Sequence, residues 1–148
     1  MREHKFRAWI DNEMVELPLT ALQYFDFEGS YALSFVVDGY AEFWAHEHYG
    51  GSIKERCKNA PIMEFTGRQD KNGKDIFESD IVRTTFYNHA ASSTIFLQEV
   101  VFEYGSFNAK SKEINIEDSR CNVPLYWCNI IEVVGNKYEN PELLEQIG

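Results

Sequence analysis

No stretch of this sequence approaches the ~20 consecutive apolar residues that a membrane-spanning helix needs. The opening "MREHKFRAWIDNE" has no apolar core of the secretory kind, so no signal peptide is expected. Cysteine is scarce. Cys57, Cys121 and Cys128 are odd in number, and no two have the two-residue spacing of a zinc knuckle or a redox pair. That usage argues against a disulfide framework and for reduced thiols in a cytoplasmic setting. Positive charge is also short: 14 Lys and Arg against 24 Asp and Glu leave a formal net charge of −10. Nucleic-acid affinity rests mainly on Lys and Arg neutralising phosphates, and anionic membranes select for the same residues. Neither direct nucleic-acid binding nor membrane binding is expected. There is no P-loop, dinucleotide fingerprint or nucleophile elbow. There is no internal repeat, low-complexity tract or long linker, so the 148 residues are expected to form a single domain, 1–148.

What the chain does have is aromatic residues: 11 Phe, 8 Tyr and 3 Trp. These side chains suit pleated, half-buried surfaces and tilt the expectation toward β structure. "KFRAWI", "DNE" and "MVEL" read as strand, turn and strand, with Phe6, Ala8 and Ile10 alternating against Arg7 and Trp9. Asp38-Gly39 lies between two aromatic and β-branched runs and predicts a β-hairpin. Two capping-box patterns are present. Thr20 to Gln23 suggests a helical turn, and Ser52 with Glu55 predicts a short helix over about 53–58, stopped before Pro61. "IMEFTG", "DIVRTTFY", "TIFLQEVVFEYGSFNA" and "KEINIED" read as strands, "NHAASS" as a polar loop, and "VPLYWCNIIEVVGNKYEN" as largely extended. Asn140 and Pro141 open a predicted terminal helix over about 141–146.

The densest chemistry lies in "GRQDKNGKDIFESDIV", residues 67–82. A calcium loop needs oxygen ligands at positions one, three, five and twelve and glycine at six. With Gly73 at six, Arg68 falls at one and Ser79 at twelve; with Asp70 at one, Gly73 falls at four. Neither register works. Glu78 and Asp80, which share a strand face, or Asp75 and Glu78 would make a carboxylate pair, but such a pair needs burial or tight proximity to separate its pKa values. With Lys71, Lys74 and Arg83 nearby, solvent-facing acids in ion pairs are the expected arrangement. Asn72-Gly73 predicts a type I′ turn, with Ile76, Ile81 and Val82 as core residues and Asp70 bonding backbone amides in the turn. Elsewhere, His46 and His48 make a minimal metal pair without a third ligand. Packing beside Trp44 and Tyr49 is the simpler reading of both. His4 and His89 stand alone. Cys57 and Cys128 are expected to be buried and unreactive. Tyr24, Phe25, Phe27 and Tyr31 belong to the core or to a partly exposed binding platform.

Three separated blocks carry a family likeness: "KFRAW", "FTGRQDKNGKDIFESDIV" and "VVGNKYENPELL". In wording and order they resemble the YopX-like proteins of bacteriophages and prophages. The resemblance implies a small, β-rich, phage-encoded cytosolic protein with no established activity, and it brings no catalytic residues. Two positions depart from the family pattern. Ser79 stands where the family tends to have Gly before "DIV", so a bulge is expected in place of a left-handed turn. Ile10 follows "KFRAW" and should displace the first turn. Residues 18–58 carry no family wording.

The fold expected is α+β and mainly β: strongly bent antiparallel sheets or a partly open small barrel, with a short C-terminal helix. No catalytic, cofactor-binding or metal residue and no cofactor is assigned. The function expected is a non-enzymatic interaction module acting on a host or phage protein, or associating with itself as a homo-oligomer. Two other readings stand beside it. An acidic inhibitor or nucleic-acid mimic would cluster its carboxylates on one face. A small metal-dependent hydrolase would use His46, His48 and a remote carboxylate.

Overall fold

A computed structural model of the chain describes residues 5–10, 12–17, 32–36, 40–46, 53–87, 92–112 and 119–147. For Ile10, Val15, Leu17, Ser119 and residues 32–36, 40–46 and 53–60 it describes the backbone alone. Among the described residues the fold is mostly strand, with a strongly curled first sheet, a second sheet and one short helix. The chain divides into two compact units, Met1–Glu64 and Phe65–Gly148.

The first unit is built on β1 (Phe6–Ile10), β2 (Glu13–Leu17), β3 (Ala32–Val36), β4 (Tyr40–His46) and the start of β5 (Ile53–Gln69). Their order is β2-β1-β5-β4-β3, antiparallel throughout. The turn between β1 and β2 falls after Ile10, and Asn12 takes the left-handed conformation there (φ 63°). The alternation in β1 is less clean than its pattern predicts, because Arg7 is buried alongside Ala8. The hairpin around Asp38-Gly39 is present in its strands, with Val36 paired to Tyr40; residues 37–39 lie outside the described set. The helix expected over 53–58 is not there. Residues 53–60 are the start of β5, where Ile53 pairs with His46 and Glu55 with Trp44. A capping-box pattern is a local preference worth about 1 kcal/mol, and central pairing between β1 and β4 overrides it. Thr20–Gln23 and Tyr24, Phe25, Phe27 and Tyr31 lie outside the described residues.

The second unit holds the end of β5, β6 (Asp75–Phe77), β7 (Asp80–Tyr87), β8 (Ser93–Glu103), β9 (Ser106–Lys110), β10 (Asn122–Pro124), β11 (Ile130–Asn136) and α1 (Pro141–Leu144). Its five-stranded sheet runs β10-β9-β8-β7-β11, all antiparallel. Directly opposed residues share a face, so Val82, Val100, Phe107, Ala109, Val123 and Ile131 meet on one side. With Ile76, Leu125 and Cys128 they form the core. Ile76, Ile81 and Val82 are buried, as the sequence predicts.

The run "TIFLQEVVFEYGSFNA" is not one strand. It is the β8–β9 hairpin, turning at Tyr104-Gly105 with both residues left-handed (φ 53° and 75°). That is type I′ geometry, which matches the right-handed twist of the flanking strands. "KEINIED" falls largely on residues 113–118, outside the described set. The terminal helix is one turn, with Asn140 at its N-cap position and Pro141 first. The Asn140 side chain caps differently from expectation: its Oδ1 accepts from the Asn136 N–H, while Asn136 Oδ1 accepts from the N–H of Tyr138 and Glu139.

Two substitutions test these turns. At Gly135 an added Cβ would lie 2.5 Å from Asn140 Oδ1 and 2.9 Å from Leu143 Cδ1. Gly135→Ala should therefore cost about 1–3 kcal/mol in denaturant unfolding, as overpacking does. Ser79 sits at φ 69°, so the turn there is left-handed in place of the expected bulge. A non-glycine residue there costs about 1–2 kcal/mol, and glycine loses about 0.5–1 kcal/mol more on folding. Ser79→Gly should raise stability by roughly 0.5–1 kcal/mol, read as an increase in Tm.

Candidate functional site

The acidic stretch 67–82 forms two turns, and two of its four carboxylates face inward, while Asp75 and Glu78 are half-buried. Asp70 is 8% exposed and Asp80 1%. Asp70 opens a loop in which the Gly73 N–H donates to the Asp70 carbonyl (3.0 Å) and the Asp70 N–H to the Lys74 carbonyl (2.8 Å). Gly73 is left-handed (φ 81°) and Asn72 is not. The turn is thus a three-residue loop with glycine last, not the type I′ turn that Asn-Gly predicts. The difference comes from the Asp70 side chain. Its Oδ1 accepts from the N–H of Asn72 (2.8 Å) and Lys74 (3.0 Å), which draws one more residue into the loop. Its Oδ2 accepts from the Val133 N–H in β11 (3.0 Å).

Burial raises the Asp70 pKa, and the three amide hydrogen bonds outweigh it, so the carboxyl ends below its ordinary value of 3.8. Asp80 works similarly, its Oδ2 accepting from the Phe77 N–H (2.8 Å) across the Glu78–Ser79 turn. Asp70 bonds backbone amides in the turn, as the sequence predicts, whereas the expectation of solvent-facing acids fails for Asp80. Amide donors in the turns reward an inward carboxylate, a term that strand periodicity omits. Lys71 (2.9 Å) and Arg83 (3.1 Å) form ion pairs with Glu132 of β11, an acid outside the stretch. The Lys71 hydrogen bond is the first reason that the Glu132 pKa is lowered.

These turns also seat a surface feature. Arg68, at the end of β5, donates through Nη1 to the Leu125 carbonyl and through Nη2 to the Cys128 carbonyl (2.9 Å). It braces the 3₁₀ turn Leu125–Trp127. Three residues per turn send successive side chains about a third of a circle apart. Leu125 enters the core, and Tyr126 and Trp127 point out, 71% and 64% exposed. Their rings meet edge to face, with centroids 5.9 Å apart at 89°. Tyr87, also exposed, is tied in through its N–H to Asn129 Oδ1 (3.3 Å). The sequence reading missed this corner because "PLYWC" looks extended; the only signal was two aromatics side by side with no alternation.

The other candidates are dispersed. His46 is in β4 with its side chain outside the described set, as are His4, His48, Tyr49 and His89 entirely. Among the described residues no three His, Cys, Asp or Glu side chains are grouped as metal ligands would be. Cys121 and Cys128 are buried and not in a disulfide. Burial pushes the Cys128 thiol up to about 11, against the pull of Arg68, so it is not a nucleophile at neutral pH. Cys57 lies in β5, where only the backbone is described. Gln98, buried in β8, is fully used: it accepts from the Thr84 hydroxyl (2.6 Å) and donates to Ser111 Oγ (3.2 Å) and the Arg120 carbonyl (2.6 Å). Such a satisfied amide specifies packing. Among the described residues no helix is long and apolar enough to cross a membrane.

Asp70→Asn would turn an amide donor toward at least one of the three N–H groups. It should cost about 1–3 kcal/mol at neutral pH. Because the folded pKa lies below the unfolded one, the wild-type advantage is complete above the unfolded value near 3.8. It is lost as pH falls through the folded value. Urea titrations of both proteins across acid pH should converge at the low end.

Comparison with known proteins gives consistent findings. The family model for the YopX protein matches residues 5–145. The crystal structure of yopX from Bacillus subtilis is similar, with a TM-score of 0.55 at 22% identity, covering 97% of this chain and 99% of that one. Protein EF1440 from Enterococcus faecalis is similar at a TM-score of 0.52 and 28% identity, with the same coverage. No curated protein matches the chain.

Proposed function

The chain belongs to the YopX family, and from that premise we propose that it is a non-enzymatic protein-interaction module of a bacteriophage or prophage, working in the bacterial cytoplasm. One observation carries the reading. Two large aromatics are held out to solvent on a turn braced by an arginine, Arg68, whose donors are committed to backbone carbonyls. Exposed, rigid Tyr and Trp side chains are the residues that anchor protein interfaces, because they bury much area for little lost freedom. The likeness of the three sequence blocks to phage and prophage proteins supports the setting. The unpaired thiols of Cys121 and Cys128 are in keeping with a reducing compartment.

Affinity capture from lysogenic cells with the wild type and with Trp127→Ala tests the reading. A host or phage protein should co-purify with the wild type and be reduced at least about tenfold with Trp127→Ala, the effect of losing an interface anchor. Identical sets of captured proteins, or none, would overturn it.

A further inference from the structure

The tip of the β8–β9 hairpin presents a contradiction in energy. Tyr104 is left-handed (φ 53°), a conformation that disfavours a bulky side chain and favours Gly, Asn or Asp. Its ring gains nothing in return from this chain, since the residue is 93% exposed. The tip is nonetheless rigidly built. Buried Asn108 donates through Nδ2 to the carbonyls of Glu103 (2.9 Å) and Ser106 (3.0 Å), closing the turn from below. Glu103 is joined to Lys110 across the hairpin (2.6 Å). Phe102, next along β8, is also exposed on one side, its other side resting on Phe107. Strain held in a rigid loop points to use outside the chain.

The same unit offers a place for such a side chain. An open cleft of about 440 Å³ lies between β8, β9 and the C-terminal turn. Val101, Leu144 and Ile147 line it with apolar surface, and Glu99, Lys110, Lys112 and Glu145 supply its charges. Its size is that of a small-ligand site, about 300–1,000 Å³. Glu99 is joined to Lys137 and Lys110 to Glu103, whereas Lys112 has no ion pair among the described residues.

We propose that the tip of one copy, led by Tyr104, docks in this cleft of a second copy, giving a two-fold dimer in which each protomer gives a tip and receives one. The phenol ring covers Val101, Leu144 and Ile147, and its hydroxyl donates to the Glu99 or Glu145 carboxylate. Glu103, beside Tyr104, brings a negative charge toward Lys112 of the other copy. An isologous contact of this kind closes on itself and occupies both tips and both clefts. The net charge of −10 per chain opposes it. Screening that repulsion should strengthen the dimer between low and physiological salt.

Sedimentation of the full chain across a wide concentration range tests this. The wild type should pass from monomer to dimer, more readily as salt rises. Tyr104→Gly should weaken association at least about tenfold, yet raise the Tm of the monomer because the left-handed strain is relieved. Tyr104→Phe should keep most of the association and Lys112→Glu should lower it. A wild type that is monomeric at all concentrations overturns the proposal, as does a dimer unchanged by Tyr104→Gly. Trp127→Ala should leave the dimer intact. A dimer lost through Trp127→Ala alone would place self-association at the aromatic corner and overturn docking by the tip.

Discussion

The Asp70 carboxylate is the constraint on which the second unit depends. Two of its three amide donors are local, from Asn72 and Lys74, and the third is Val133, sixty-three residues further along the chain. One side chain therefore shapes a turn and ties that turn to the outer edge of β11. The Lys71 N–H adds a bond to the Ile131 carbonyl on the same edge (2.9 Å). An open strand edge is a template for unwanted pairing, and here a loop occupies part of it. The opposite edge, β10, is three residues long and ends in Pro124, which has no N–H to offer.

The two other special turns follow from this frame. With β6 and β7 in place, the Ser79 N–H donates to the Val100 carbonyl (2.8 Å) and its carbonyl accepts from the Lys137 N–H (3.0 Å). Three parts of the unit thus converge on one left-handed residue. Near α1, Asn140 Oδ1 accepts from the Asn136 N–H and Asn136 Oδ1 from those of Tyr138 and Glu139, and the missing Cβ of Gly135 leaves room for the Asn140 side chain. The family-marking blocks around residues 65–82 and 133–144 are therefore turn-building text. Their carboxylates and amides serve backbone donors, which explains why they mimic a ligand loop without having a ligand loop's spacing.

Much of the fold was legible, and for identifiable reasons. Strands β1, β2 and β7 and the start of α1 carry strong local signals: alternation, β-branched residues, and Pro141 where a helix begins. The β8–β9 hairpin was not legible, because a type I′ turn at Tyr104-Gly105 lacks the Asn or Asp that normally marks its first position. The capping-box pattern at Ser52 misled, because a short-range preference gives way to β5 pairing with β4 and β1. The direction of Asp80 was hidden for a similar reason. Whether a carboxylate faces solvent depends on which amides the folded chain leaves without partners. The aromatic corner was the least visible part. Its exposure is set by Arg68, sixty residues away, and by the core position of Leu125.

By itself the sequence determined the mainly β character, the acidic balance, the lack of a membrane-spanning helix, and the family. These follow from composition, periodicity and wording, all of which act locally or add over the chain. Only the tertiary structure decided which acids are buried, which aromatics face outward, and which residue bears left-handed strain. Each of these depends on donors and acceptors brought together from distant positions, and on the space left when they meet.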